Sequence, residues 1–150
     1  MAETENVQGK RRRQPAASAQ GYATLARAYK LVYTPLMEER PLSWLGTSLA
    51  DVRAFPGKAR RSAGYQLRRL QQGLMPTDWK PMSTVGSGVA EIRVRGQLEH
   101  RVLYIARFSE AIYVLHAFEK KTQKTRKTDL DLVRRRLRDL EILRESKKES

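Results

Sequence analysis

Apolar positions along the chain change period midway, and the change predicts the order of elements. Over residues 43–54, Leu45, Leu49 and Val52 fall at helical spacing, and Pro56 closes the segment. Over residues 57–72, Ala59, Ala63, Leu67 and Leu70 form one stripe. Arg60, Arg61, Arg68 and Arg69 lie off it, and Gly73 supplies the stop. The two segments predict an αα-hairpin. Residues 75–87 read as a loop containing Pro76, Pro81 and Gly86. The period then shortens to two over residues 89–95, 101–108 and 111–118, with turns at Gly96-Gln97 and Ser109-Glu110. Residues 129–143 return to helical spacing, with Leu130, Val133, Leu137, Leu140 and Leu143 on one face and Arg134, Arg135, Arg136 and Arg138 elsewhere. Upstream, Leu25, Ala28, Leu31 and Val32 suggest a short helix over residues 21–39 that Pro41 stops.

Turns this short require antiparallel neighbours, because parallel pairing needs a crossover of about a dozen residues. The expected fold is a small α+β domain over residues 41–150. In it, two N-terminal helices pack on an antiparallel sheet and a C-terminal helix follows. All helices are expected on one sheet face, leaving the other open to ligands. Alternation on the first strand puts Glu91, Arg93 and Arg95 on one side and Ile92 and Val94 on the other. The central strand carries apolar groups on both sides, which reads as mostly buried with charged ends.

Composition narrows the partners. Thirty Lys and Arg against 16 Asp and Glu give a formal charge of +14 and a pI near 10.5. Such a balance favours nucleic acid, an acidic protein or an anionic membrane surface. No apolar run approaches the ~20 residues of a membrane span, and the N-terminal residues lack the apolar centre of a signal peptide, so a cytoplasmic protein is expected. Cysteine is absent, which excludes disulfides and thiolate chemistry, and two histidines on separate strands make a poor zinc site. No cofactor or metal is expected. Residues 1–40 read as a basic extension, polar over the first 20 with a KRRR run at residues 10–13.

The chemistry-bearing stretch is 89–128, where Glu91, Arg93, Arg95, Arg101, Tyr104, His116, Lys120, Lys121 and Lys124 stand among apolar neighbours. Cations converging on one small sheet suit a phosphate. Lys120, Lys121, Lys124, Arg126 and Lys127 add a basic segment after the last strand. Each residue also has a plainer reading: Arg93 and Arg95 as a solvated edge strand, His116 as a core histidine, His100 as a turn residue, Trp44 and Trp79 as packing anchors. Gly86-Ser87-Gly88 precedes a strand rather than opening a helix, unlike a phosphate loop.

Three runs carry a resemblance: PLSWLGTSLADVRAFP, GYQLRRLQQGLMPTDWKPMSTVGSGVAEIRVR and HRVLYIARFSEAIYVLHAFEKKTQKT. With EIR, RVLY and HAFEKKTQKT in that order, the chain resembles the phage-derived HigB-like branch of the RelE/ParE toxin superfamily over about residues 41–143. The resemblance implies the small toxin fold and a bacterial or phage toxin–antitoxin pair. It also implies metal-independent cleavage of messenger RNA, usually on the ribosome. It makes Arg93 and Arg101 ligands of the scissile phosphate, and Lys120 and Lys121 cations that stabilise its transition state. Arg95, Tyr104, Lys124, Arg126 and Lys127 become RNA contacts. The implied partner is a helix-turn-helix, HigA-like antitoxin, joined with the toxin in a hetero-oligomer; no membrane is involved. The chain has no tyrosine after Tyr113, where several RelE-like toxins carry one, so Glu91 and His116 stand as candidate acid–base groups. Two alternatives stay open: a non-enzymatic ParE-like inhibitor of a protein such as gyrase, and a basic nucleic-acid-binding phage accessory protein.

Overall fold

The computed structural model describes residues 39–149. The polar tail and all but the last residue of the helix expected over 21–39 lie outside that range. The described elements are β1 (Leu42–Trp44), α1 (Ser48–Arg53), α2 (Gly57–Gln71), β2 (Trp79–Pro81), β3 (Val89–Val94), β4 (Glu99–Ile105), β5 (Ile112–Lys120) and α3 (Lys127–Glu149).

The meander β3–β4–β5 is antiparallel, as its short turns require. Two short strands absent from the sequence reading flank it, giving one five-stranded mixed sheet of order β1-β5-β4-β3-β2. β1 runs parallel to β5, pairing Leu42 with Ile112 and Trp44 with Val114. It takes residues expected to open the first helix, because edge backbone groups of β5 are available to them: Ile112 N–H donates to Pro41 O at 2.9 Å and Leu45 N–H to Val114 O at 3.0 Å. Gly46, at φ +55°, turns the chain from this strand into the shortened helix.

α2 begins after Pro56 and buries Ala63, Gln66, Leu67 and Leu70; of the expected stripe Ala59 is only half-buried, and Gln66 is added. It ends in a Schellman motif: Gly73 at φ +82° donates to Leu70 O at 3.0 Å, and Leu74 N–H donates to Arg69 O at 2.8 Å. α3 runs longer than its apolar stripe, 23 residues against 15 expected.

Both faces of the sheet are covered, which corrects the expectation of helices on one face. α1, α2 and the turn between them bring Val52, Phe55, Leu67 and Leu70 onto Ile92, Val94, Val102 and Tyr104. α3 brings Val133, Leu137 and Leu140 onto Val89, Leu103, Ile105 and Leu115 on the opposite face. The cause lies in β4, whose apolar side chains alternate to both faces and need cover on each. Yet α3 seals only part of its face. Cross-strand partners share a face, so the row through Leu103 continues as Glu91, its partner on β3, and then as the pair Arg93 and Arg101. That end of the sheet carries charge instead of core. No helix among the described residues is long and apolar enough to cross a membrane.

Candidate nucleic-acid interface

At the charged end of the sheet, three arginines and three carboxylates close a ring of alternating sign. Asp78 Oδ1 lies 3.8 Å from Arg93 Nη1, and Arg93 Nε 3.9 Å from Glu91 Oε1. Glu91 Oε1 lies 3.3 Å from Arg101 Nε, and Arg101 Nη2 2.7 Å from Glu99 Oε1. Glu99 Oε2 lies 3.7 Å from Arg95 Nη1, and Arg95 Nε 2.5 Å from Asp78 Oδ2, completing the circuit. Strand alternation supplies most of it: Glu91 and Arg93 share one face of β3, and Glu99 and Arg101 the same face of β4. Asp78 comes from the loop before β2, held in register by Arg93 N–H donating to Asp78 O at 2.9 Å.

The ring is graded from core to solvent. The Glu91 side chain is 1 % exposed and that of Arg101 5 %, whereas Arg93 is 26 % and Arg95 55 % exposed. Neither Glu91 oxygen accepts an aligned hydrogen bond, so its contacts with Arg93 and Arg101 are charge pairs alone. A buried carboxylate in this position secures the guanidiniums that lie over it. The hydrogen bond from Arg101, with the Arg101 charge and lesser contributions from Arg95 and Lys120, draws the Glu99 carboxyl below its ordinary range. On the other side, hydrogen bonding to Asp78 raises Arg95.

The arginines expected to hold phosphate are thus brought together, but three internal anions balance them. Uncompensated positive charge lies beside the ring. Lys120 ends β5 opposite Glu99, and Lys80 stands across from Glu91 on β2. Lys121, Lys124 and Arg126 are exposed and have no ion-pair partner among the described residues; Lys127 faces Asp131 at 4.0 Å.

The remaining expected site residues separate. Tyr104 belongs to the opposite face, 2 % exposed under α1 and α2, where burial pushes its hydroxyl to about 12. It is a core residue there and cannot reach a ligand at the ring. His116 is buried and its Nε2 lies 2.8 Å from Asp129 Oδ1 in the first turn of α3, while its Nδ1 is buried without a partner. Its ring stacks on Phe118 at 5.1 Å. As placed, Glu91 and His116 are both covered, and neither presents a free proton-transfer atom at the surface. His100 is a strand residue, not a turn residue, and packs against Phe55 with the rings tilted and their centroids 4.4 Å apart. Among the described residues no three His, Cys, Asp or Glu converge as metal ligands.

Sequence reasoning missed Asp78, Glu99, Asp129 and Lys80. Glu99 was within reach, because it precedes Arg101 by two residues and shares its strand face. Asp78 and Lys80 had no local signal, since their roles depend on a short edge strand that Pro81 disguises as loop.

The model of a protein family described as phage derived protein Gp49-like (DUF891) matches residues 50–138, more than half of the 150-residue chain. No curated protein matches it. The matched span runs from α1 into α3 and contains every member of the ion-pair ring, and the chain belongs to the Gp49-like family of phage-derived proteins.

Proposed function

We propose that this protein is the HigB-like toxin of a type II toxin–antitoxin pair, acting as an endoribonuclease on messenger RNA at the ribosome. The single observation that carries the reading is the cluster of Arg93, Arg95 and Arg101 at the open end of the sheet, in a RelE/toxin-like phage family. RNA cleavage suits such a site because RNA carries its own nucleophile. The ribose 2′-oxygen attacks the adjacent phosphorus, the bond to the 5′-oxygen breaks, and a 2′,3′-cyclic phosphate and a 5′-hydroxyl result. The protein must position the phosphate, neutralise charge growing on its oxygens and move two protons. Arg93 and Arg95, with Lys120 and Lys121, supply the first two requirements. A proton-transfer role for His116 requires its Nδ1 or Nε2 to become accessible in the RNA-bound state. A helix-turn-helix antitoxin that covers the cations completes the pair, and the site of action is the bacterial cytoplasm.

The test is pulse induction in bacteria of the wild type, Arg93→Ala and Lys121→Ala, with RNA 5′ ends mapped across translated messages. New cuts and arrested translation are expected for the wild type, with cleavage reduced about a hundredfold in each folded variant. Intact messages during growth arrest, with collapsed supercoiling, would select inhibition of a gyrase-like target. Salt-dependent RNA binding without toxicity would select a nucleic-acid-binding accessory protein.

A further inference from the structure

Of the three carboxylates in the ring, Asp78 is placed differently from the others. Glu91 is sealed in the sheet, and Glu99, 39 % exposed, is tied from β4 to buried Arg101, whereas Asp78 projects from a loop, is 36 % exposed and among the described residues pairs only with Arg93 and Arg95. That loop is held from three sides. Buried Gln66 of α2 accepts from Thr77 N–H at 2.8 Å and donates to Thr77 Oγ1 at 2.7 Å. Arg69 Nε donates to Met75 O at 2.8 Å, and Arg93 N–H donates to Asp78 O at 2.9 Å. The backbone is therefore fixed, and only the Asp78 side chain has freedom to turn away. Its two oxygens bridge Arg93 and Arg95, the two most exposed arginines of the ring, as two oxygens of a phosphodiester would.

We infer that Asp78 is a built-in competitor for the phosphate site, and that RNA binds by displacing its carboxylate from Arg93 and Arg95 while Glu91 and Glu99 keep Arg101 in place. The inference rests on reading the ring as a phosphate site. The geometry gives the exchange a direction: a carboxylate can leave an exposed pair at little cost, whereas Glu91 has no route to water. The two freed guanidiniums then face an anion whose diester backbone offers further charges to Lys120 and Lys121. A single small anion lacks that second set of contacts, so Asp78 also favours polymeric phosphate over free phosphate.

Binding of a fluorescent short oligouridylate by the full chain, followed by anisotropy over a sodium chloride series, tests this. Asp78→Asn keeps the side-chain shape and should bind about tenfold tighter at low salt, with a steeper salt dependence. Glu145→Gln removes the same charge from an exposed position of α3 and should change affinity by less than about twofold. An Asp78→Asn protein that is folded but binds no tighter than Glu145→Gln overturns the inference. Arg93→Ala separates the two levels. If it weakens binding while Asp78→Asn gains nothing, only the competitor role fails; if it binds as the wild type does, the phosphate-site reading fails as well. In the unmutated protein, the Arg95 Nε–H resonance should shift as RNA is added, and a resonance unmoved at saturation overturns displacement whatever the variants do.

Discussion

At the residue scale, Glu91 and Arg95 show how burial sets the worth of a charge. Glu91 has almost no contact with solvent and lies between two guanidiniums, one of them also buried. Removing it leaves Arg101 without one of its two carboxylates inside the sheet, and Glu91→Ala should lower unfolding stability by about 3 kcal/mol in urea melts. Arg95 has a shorter ion pair but lies in solvent, so Arg95→Ala should leave the urea midpoint almost unchanged while weakening RNA binding. Glu110 provides a pH test. Its carboxyl is held at about 2, against an ordinary 4.5, chiefly by the hydrogen bond from Arg144 and also by that from Tyr113. A carboxyl depressed on folding stabilises above its unfolded value and loses that contribution as pH falls through the folded one. The stability difference between wild type and Glu110→Gln should therefore be full above pH 4.5 and vanish towards pH 2. Because the side chain is 43 % exposed, the difference should be at most about 1 kcal/mol.

At the element scale, α3 holds the molecule together and frames the charged end of the sheet. Its apolar stripe closes one face, with Leu140 1 % exposed, and its first turn supplies Asp129 to His116. Arg136 reaches across to donate to Leu115 O at 2.8 Å, beside the bulge between β4 and β5. Near its far end, Arg144 pairs with Glu110 and lies 3.6 Å over the Phe108 ring. Leu140→Ala should cost about 3 kcal/mol through loss of contact and a residual cavity, read as a lower urea midpoint with unchanged slope. Gly46 is a point of close approach between α3 and the rest of the fold, and one with a left-handed backbone. A Cβ there would lie 2.5 Å from the Arg136 guanidinium, at a backbone φ of +55° that side chains rarely adopt. Gly46→Ala should therefore destabilise by about 1–2 kcal/mol in the same melts, by strain and by dislodging Arg136.

At the scale of the whole molecule, net charge and local charge give different answers about binding. The formal charge of +14 draws any polyanion to the surface, while the ring that resembles a phosphate site is neutral within itself. Long-range attraction then comes from Lys80, Lys120, Lys121, Lys124 and Arg126, and specific placement from the arginines once a carboxylate yields. With about three phosphates engaged, the logarithm of RNA affinity should fall against the logarithm of salt with a slope near about −2, measured by anisotropy. A slope near zero would mean that binding does not use these cations.

The sequence alone determined the parts governed by local spacing. The 3.6 period of Ala63, Leu67 and Leu70 specified α2, and Gly73 its stop. The two-residue period and short turns specified the antiparallel meander and grouped Glu91 with Arg93. Only the tertiary structure decided what depends on distant partners. β1 is a strand because the β5 edge offers it hydrogen bonds, which outweigh the weak helical preference of three residues. Tyr104 is core because helices cover both faces of the sheet, and Arg101 is buried between Glu91 and Glu99, neither of which a single strand pattern reveals. The ion-pair ring closes only when a loop aspartate, 13 residues before Glu91 in sequence, is carried beside β3 by an edge strand. Spacing along a chain encodes which side chains share a face; closure between faces, edges and loops is set by packing, where the partners are far apart in sequence.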